Sequence, residues 1–290
     1  MLKKSGLGRS IWNTLLILMF AYLMVVITRP VYAYVLQGPH ILDLMIEKLG
    51  KARGLMVSQN LQFYQVGRQE EPVELNETLG YVFPEFFRAD IQAIQSHRIY
   101  IQSRGETFIL TDGKIETDTE TRFDLYKDIL LFRSRKLLEK RLNRFGVDVS
   151  ISSLGRFEDQ LAYVVGAKYP DESVPQIWVD KQTFLPLRWI VTRTVDTKKK
   201  DALEVRYLQW QKRSNTYYPM QIAFYQGDLL VRSIQVQDIR VDPTFPDAFF
   251  DISHLKSIQQ STPSEKSDPN KLEELKDVQK TIENFEKIFE

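Results

Sequence analysis

Side chains able to do bond-making chemistry are scarce in this 290-residue chain. It has no cysteine, and its three histidines, His40, His97 and His254, lie far apart and without partners at metal-ligand spacing. A thiol nucleophile, a disulfide framework, an iron–sulfur cluster and a thiolate zinc site are therefore excluded. No HExxH, G-x-S-x-G or G-x-x-x-x-G-K-[ST] occurs, so the sequence offers no zinc-protease helix, nucleophile elbow or phosphate loop. His97, beside Arg98 at the start of a strand, reads as a surface residue rather than a base. The acidic run Glu116 to Glu120 (ETDTE) lacks the glycine and spacing of a calcium loop. It reads as a solvated strand edge, where charge guards against edge-to-edge pairing. Lys198-Lys199-Lys200-Asp201 reads as a hairpin tip, with a membrane-surface or partner patch as the sharper alternative, since a lysine near an anionic surface is worth about 1 kcal/mol. The sequence thus predicts no catalytic residue, no metal and no cofactor.

Bulky aromatic residues are the more prominent feature. The chain is 12% aromatic, and these residues concentrate on segments that read as strands. Core packing accounts for any one of them. A curved sheet with helices over its open face can instead enclose an apolar cavity. Tyr81, Phe83, Phe87, Trp178, Trp189 and Phe224 are the candidate cavity-lining residues.

These side chains must be positioned by an α+β arrangement. His40 to Arg53 places Ile41, Leu44, Met45 and Leu49 at helical spacing, with Gly50 or Gly54 to stop it. From Leu55 the period changes to LMVSQNLQFYQV, VELNETLGYVF, EFFRADIQAIQ and HRIYIQSRGETFILTDGK, four strand-like stretches with Asp112-Gly113 as a tight turn. Phe123 to Phe145 returns to helical spacing through Leu125, Ile129, Phe132, Leu137, Leu138 and Leu142. Strands then resume: Leu161 to Lys168, Gln176 to Asp180, Phe184 to Arg193, Ala202 to Lys212, Tyr217 to Tyr225 and Leu229 to Val241. Helix, four strands, long helix and about six strands is not a βαβ alternation.

The two ends differ from this domain. Residues 1–10 carry Lys3, Lys4 and Arg9 with no acid, residues 11–27 run IWNTLLILMFAYLMVVI, and Pro30 precedes Val31-Tyr32-Ala33. That is the basic, apolar, small-residue order of a secretory signal peptide over residues 1–33, cleaved after Ala33. An uncleaved inner-membrane anchor is the alternative, although the apolar run is slightly short for a span. Removal of the leader takes four positive charges from a chain whose formal charge is +1, leaving −3. Nothing in that balance suggests a nucleic-acid surface. No cysteine follows the apolar run, so the chain cannot itself become a cysteine-anchored lipoprotein. The domain is expected over 34–255, a polar linker over 256–271 and an amphipathic C-terminal helix over 272–290, which packs on the domain or binds a partner.

Four short motifs then fall in a telling order. Gly80 to Asp90 (GYVFPEFFRAD), Thr111-Asp112-Gly113-Lys114, Pro175 to Lys181 (PQIWVDK) with Thr183 and Leu185-Pro186, and Pro246 to Phe250 together resemble the LolA/LolB superfamily of periplasmic lipoprotein carriers. The resemblance covers most of His40 to Phe250. It implies an incomplete, strongly curved antiparallel β-barrel covered by helices. It also implies a periplasmic carrier that holds lipoprotein acyl chains or lipid for transfer toward the outer membrane. Its partners would be inner- and outer-membrane transfer proteins, with transient membrane contact. One departure stands out: the dedicated carriers have an arginine just before the motif proline, and Phe83 occupies that place. The alternative is a periplasmic sensor or interaction module on the same fold that binds a partner protein through the basic or C-terminal helix. A lipid-processing enzyme would need a nucleophile and base that the sequence does not supply.

Overall fold

Branched and aromatic residues at alternate positions, punctuated by turn residues, build most of this protein as β-structure. The structure, a computed structural model, describes residues 35–64, 72–93, 96–116, 120–196 and 199–261, with the isolated positions 12, 15, 18 and 19. The chain divides into two units, Met1–Val35 and Leu36–Glu290. In the first, Trp12, Leu15, Leu18 and Met19 are helical and exposed. The rest of the 1–33 leader, most of the 256–271 linker and the 272–290 helix lie outside the described residues. Among the described residues no helix is long and apolar enough to cross a membrane.

Within the second unit, α1 (Gly38–Leu49) is followed by β1 (Gly54–Phe63), β2 (Val73–Val82), β3 (Phe86–Gln92), β4 (His97–Ser103), β5 (Glu106–Thr111) and β6 (Lys114–Glu116). A 3₁₀ turn (Arg122–Asp124), α2 (Tyr126–Leu131) and α3 (Arg135–Arg144) come next. The chain returns to strands with β7 (Ser152–Phe157), β8 (Gln160–Val165), β9 (Gln176–Asp180) and β10 (Pro186–Asp196). β11 (Lys199–Arg213), β12 (Thr216–Gln226), β13 (Leu229–Val241) and α4 (Ile252–Ser261) complete it. The strands form one curved, unclosed antiparallel sheet in the order β6-β5-β4-β3-β2-β1-β13-β12-β11-β10-β9-β8-β7. Two meanders are therefore joined at one non-local seam, β1 against β13, with Leu61 opposite Ile234 and Leu55 opposite Val241.

Several boundaries depart from the sequence reading. The run His97 to Lys114 is three strands, because Arg104 (φ 49°) and Gly105 (φ 86°) make a left-handed turn as Asp112 (φ 50°) and Gly113 (φ 73°) do later. The single helix expected over Phe123 to Phe145 is broken at Phe132–Ser134 without a proline or glycine. Leu130 O there accepts from Arg133 Nε at 2.7 Å. The break lets all six α2 residues be buried while α3 turns only Leu138 and Leu142 inward. β7, with the unpatterned sequence SSLGRF, has no counterpart among the expected strands. The expected domain edge at 255 falls inside α4, whose Ile252 and Leu255 pack on Ile99, Ile101 and Phe108.

Strand register separates two faces. Tyr81 pairs with Phe87 and Leu55, and Phe224 with Val205 and Arg232, so these residues share one face. α1 lies against β12, β8 and α3 and buries Ile41, Leu42, Met45 and Leu49. Pro39 sits in its first turn, where a missing N–H costs nothing. Gly50 (φ 103°) ends it, and Leu49 O accepts from Thr216 Oγ1 of β12 at 2.7 Å. The face that meets these helices is here called the helix-side face. The opposite face carries α4, the Phe245–Phe250 segment beside Gly80, and a cluster around Trp178.

Candidate functional site

Alternation along VELNETLGYV places Glu77, Leu79 and Tyr81 of β2 on the helix-side face, polar at one end and aromatic at the other. At the aromatic end, the Tyr81 ring meets Phe87 edge-on at 4.9 Å, stacks on Phe83 at 5.8 Å, and shares a 3.1 Å hydroxyl contact with Tyr218. Phe87 continues the cluster to Tyr100 at 5.8 Å. Phe224 packs against Phe123 and Tyr126, and Trp189 against Phe145, each on the segment between β6 and β7. Five of the six candidates are thus on or at the end of this face: Tyr81, Phe83 and Phe87 as one cluster, Phe224 and Trp189 apart from it.

Trp178 is the exception and a correction. It pairs with Arg188, whereas Trp189 pairs with Ile177, so the two indoles point to opposite faces. Trp178 belongs to a cluster with Ala162, Val164 and Ala167, and the Arg188 guanidinium lies 4.1 Å from its ring centre. A second correction concerns volume. Rings lining an open apolar cavity are the expectation, but Tyr81, Trp189 and Phe224 are 0% exposed and Phe87 2%. Ile129, Leu130, Leu131, Leu138 and Leu142, all at 0%, occupy the adjoining interior at the close packing usual for protein cores. An open hollow of about 320 Å³ lies elsewhere, lined by Arg53, Gly54, Val82, Asp242, Pro243, Thr244 and Phe245, and holds none of the six.

Beside the aromatic end sits a buried polar network that the sequence reading did not anticipate. Lys127 Nζ donates to Glu120 and to Asp124 O (2.9 Å) and lies 3.5 Å from Asp128 Oδ1. Arg141 of α3 donates to Asp128 Oδ2 (2.6 Å) and to Glu120. Tyr100 of β4 donates to Glu120 Oε1 at 2.9 Å, and its ring lies 4.8 Å from Lys127 Nζ. Burial would lower the Lys127 ammonium, but Asp128, Tyr100 and Glu120 outweigh it and hold the group charged. Burial would raise Glu120, but Lys127 and Arg141 hold its carboxyl down at about 2. Asp128 is raised by its complete burial, against both cations.

A second polar group lies further along the face. Gln59 Nε2 donates to Glu77 and to Tyr126 Oη (3.2 Å), while Tyr207 Oη donates to Tyr126 O at 2.9 Å. Burial raises the Glu77 carboxyl, with Arg232 opposing. Arg122 and Asp201 pair at 2.7 Å, and Arg98 and Asp124 at 3.8 Å, tying the 3₁₀ turn to β11 and to β4. The segment carrying α2 is therefore held to the helix-side face by polar contacts around an apolar interior.

No known family profile matches the sequence, and no curated protein matches it. Similarity appears at the level of structure. A LolA superfamily protein from Nitrosomonas europaea superposes with a TM-score of 0.53 at 13% identity, over 76% of this chain and 100% of that one. A putative outer membrane lipoprotein-sorting protein domain from Vibrio parahaemolyticus gives 0.53 at 9% identity, over 76% and 98%. A DUF1329 family protein from Desulfovibrio piger gives 0.52 at 14% identity, over 75% and 97%. This chain has a LolA-like fold.

On the LolA-like sheet the remaining sequence candidates take simple positions. His97 is exposed, with Nε2 3.5 Å from Asp90, and His40 and His254 are exposed as well. Lys198 lies outside the described residues, while Lys199 pairs in register with Asp196 at the start of β11. Of the acidic run, Glu116 ends β6, residues 117–119 lie outside the described residues, and Glu120 is no solvated edge but the centre of the polar network. One signal could have exposed that network. Lys127-Asp128 stands within LYKDILLF, where apolar residues occupy every side of a helix, so a charge pair there has no solvated face to occupy.

Proposed function

We propose that this protein is a non-enzymatic periplasmic carrier or binding protein that holds acyl chains of a lipoprotein or lipid between the helix-side face and α1–α3, for transfer toward the outer membrane. The observation that carries the reading is the LolA-like fold with the Tyr81, Phe83 and Phe87 cluster, and Phe224 and Trp189 apart from it, on the face that meets the helices. One similar structure is described as a putative lipoprotein-sorting domain. Residues 1–33 act as the export signal.

In this reading the structure is the closed, unloaded form, and the helices are its cover. Loading lifts the Tyr126–Leu131 helix off the face, so that hydrocarbon takes the place now filled by Ile129, Leu130 and Leu131. An acyl chain of roughly 15 carbons gains on the order of 12 kcal/mol on leaving water, at about 0.8 kcal/mol per CH₂. The contacts that anchor Tyr126, from Tyr207 and Gln59, are worth about 1 kcal/mol each. Opening also uncovers Ile129, Leu130 and Leu131 and breaks the Lys127 and Asp128 ion contacts, so these costs offset much of the gain from cargo and the closed form returns after release.

Delipidated protein titrated with a fluorescent C16 fatty acid should show saturable uptake. Absence of uptake overturns the carrier reading. Of the two segments through which an interaction module would bind a partner, the expected 272–290 helix lies outside the described residues and the basic one is α2 with α3.

A further inference from the structure

Arg133 is half-buried, and it shares with Arg232, buried on the helix-side face, the want of a carboxylate partner among the described residues. Lys127 and Arg141 each meet carboxylates, whereas among the described residues no carboxylate lies within ion-pair distance of Arg133. It sits at the break between α2 and α3. Its Nε donates to Leu130 O at 2.7 Å and its Nη1 approaches Gly50 O at 3.4 Å, carbonyls at the ends of α2 and α1. The guanidinium lies 4.4 Å from the centre of the Phe83 ring. Nη2 is out of contact with solvent and meets no acceptor. Burial lowers the group to about 10, with the Tyr81 and Tyr218 hydroxyls acting the other way.

Helix capping explains two of the three guanidinium nitrogens and leaves the third. A half-buried cation without a counter-ion loses part of its hydration, and the orphaned Nη2 donor, itself out of contact with solvent, adds to that cost. The planar fork of arginine fits the two oxygens of a carboxylate or phosphate, and the charge on such a group would satisfy both deficits at once. The position also suits an amphiphile. Phe83 under the guanidinium begins the Phe83–Tyr81–Phe87 aromatic cluster, enclosed in this form, so an anionic head at Arg133 would direct its hydrocarbon toward the apolar interior that opening exposes.

We propose that Arg133 is the headgroup receptor of the cargo site, and that the cargo is an acyl amphiphile bearing a phosphate or carboxylate at its head. This rests on the carrier reading above. Binding of dodecyl phosphate, dodecanoate, monolauroylglycerol and inorganic phosphate to delipidated full-length protein tests it by calorimetry, with thermal unfolding to confirm that each variant folds. The wild type should prefer the two anionic amphiphiles over monolauroylglycerol by about tenfold or more, as expected for a charge-assisted bidentate contact. Arg133→Gln should erase that preference, bringing the anionic amphiphiles to the affinity of monolauroylglycerol, and Arg133→Lys should retain part of it. Equal wild-type affinity for charged and neutral probes, or a preference that survives Arg133→Gln, overturns the headgroup site and leaves the carrier reading standing. Arg133-dependent binding of inorganic phosphate with no gain from the acyl chain also overturns it, assigning the site to free phosphate. No saturable binding of any acyl probe overturns the carrier reading, and this proposal with it. If Arg133→Gln fails to fold, the wild-type preference and its change in Arg133→Lys decide the matter.

Discussion

Glu120 is the residue on which the electrostatics of the α2–α3 segment turn. It accepts from Lys127, Arg141 and Tyr100, so its carboxyl joins the α2 and α3 segments to β4. Burial pushes its pKa up, but the two cations prevail and hold it at about 2, below the ordinary carboxylate value. A folded-state value below the unfolded one contributes stability in full above about pH 4.5, and that stability is lost as pH falls through about 2. Asp128 and Glu77 shift the opposite way through burial, so an acid profile of the wild type alone mixes signs. The difference between wild type and Glu120→Gln isolates the pair. That variant should be less stable by about 1–3 kcal/mol at pH 7 in urea unfolding, with the difference shrinking toward zero near pH 2. A difference independent of pH would show that the carboxylate charge does not matter. On the opposite face, a Cβ on Gly155 would fall 2.8 Å from ring atoms of Trp178 and Tyr169. Gly155→Ala should therefore cost about 1–3 kcal/mol through overpacking, with an altered tryptophan emission spectrum, and should leave acyl uptake intact.

In the carrier reading proposed above, α2 is the element that moves. It is six residues long, too short to persist as a helix by itself, and owes its form to packing. All six of its residues are buried, and its polar attachments are Tyr126 to Tyr207 and Gln59, and Lys127 and Asp128 to their ion partners. Hydrogen exchange over Tyr126–Leu131 should accelerate when a C16 fatty acid is bound, while β1 and β13 stay protected. Equal protection with and without ligand would locate the cargo elsewhere. Leu130→Ala should lower stability by about 2–5 kcal/mol, because its side chain is fully enclosed in the closed form.

At the scale of the whole molecule, the seam between β1 and β13 joins the two meanders. Asp242 Oδ1 reinforces it by accepting from Arg53 N at 2.6 Å and Gly54 N at 3.1 Å. α4 is peripheral to that seam and sits on the face opposite the site. Deleting residues 252–290 uncovers Ile99, Ile101 and Phe108 and should cost about 2–4 kcal/mol of stability. The truncated protein should still take up acyl probe. Loss of uptake without loss of folding would place the C-terminal region in the cargo site.

Local pattern alone determined a good deal of this protein. Gln176–Asp180 and Leu229–Val241 are strands over the very residues whose composition called for them. The Asp180 turn closes as its residues demand, with Oδ1 accepting from Gln182 N, Thr183 N and Thr183 Oγ1. Which face of β2 carries Tyr81 beside Phe87 was settled by pairing register, not by the sequence. Tertiary structure alone decided the rest, wherever both neighbours of a residue are apolar. In QIWVD and PLRWIV every position is a candidate for burial, so no alternation says that Trp178 and Trp189 face opposite ways; pairing register does. The break at Phe132–Ser134, the burial of Lys127 and Asp128, and the solitary guanidinium of Arg133 depend on partners up to 83 residues away. Charge type is written in the sequence, but whether a charge is solvated, paired or waiting for a ligand is decided by what long-range packing brings beside it.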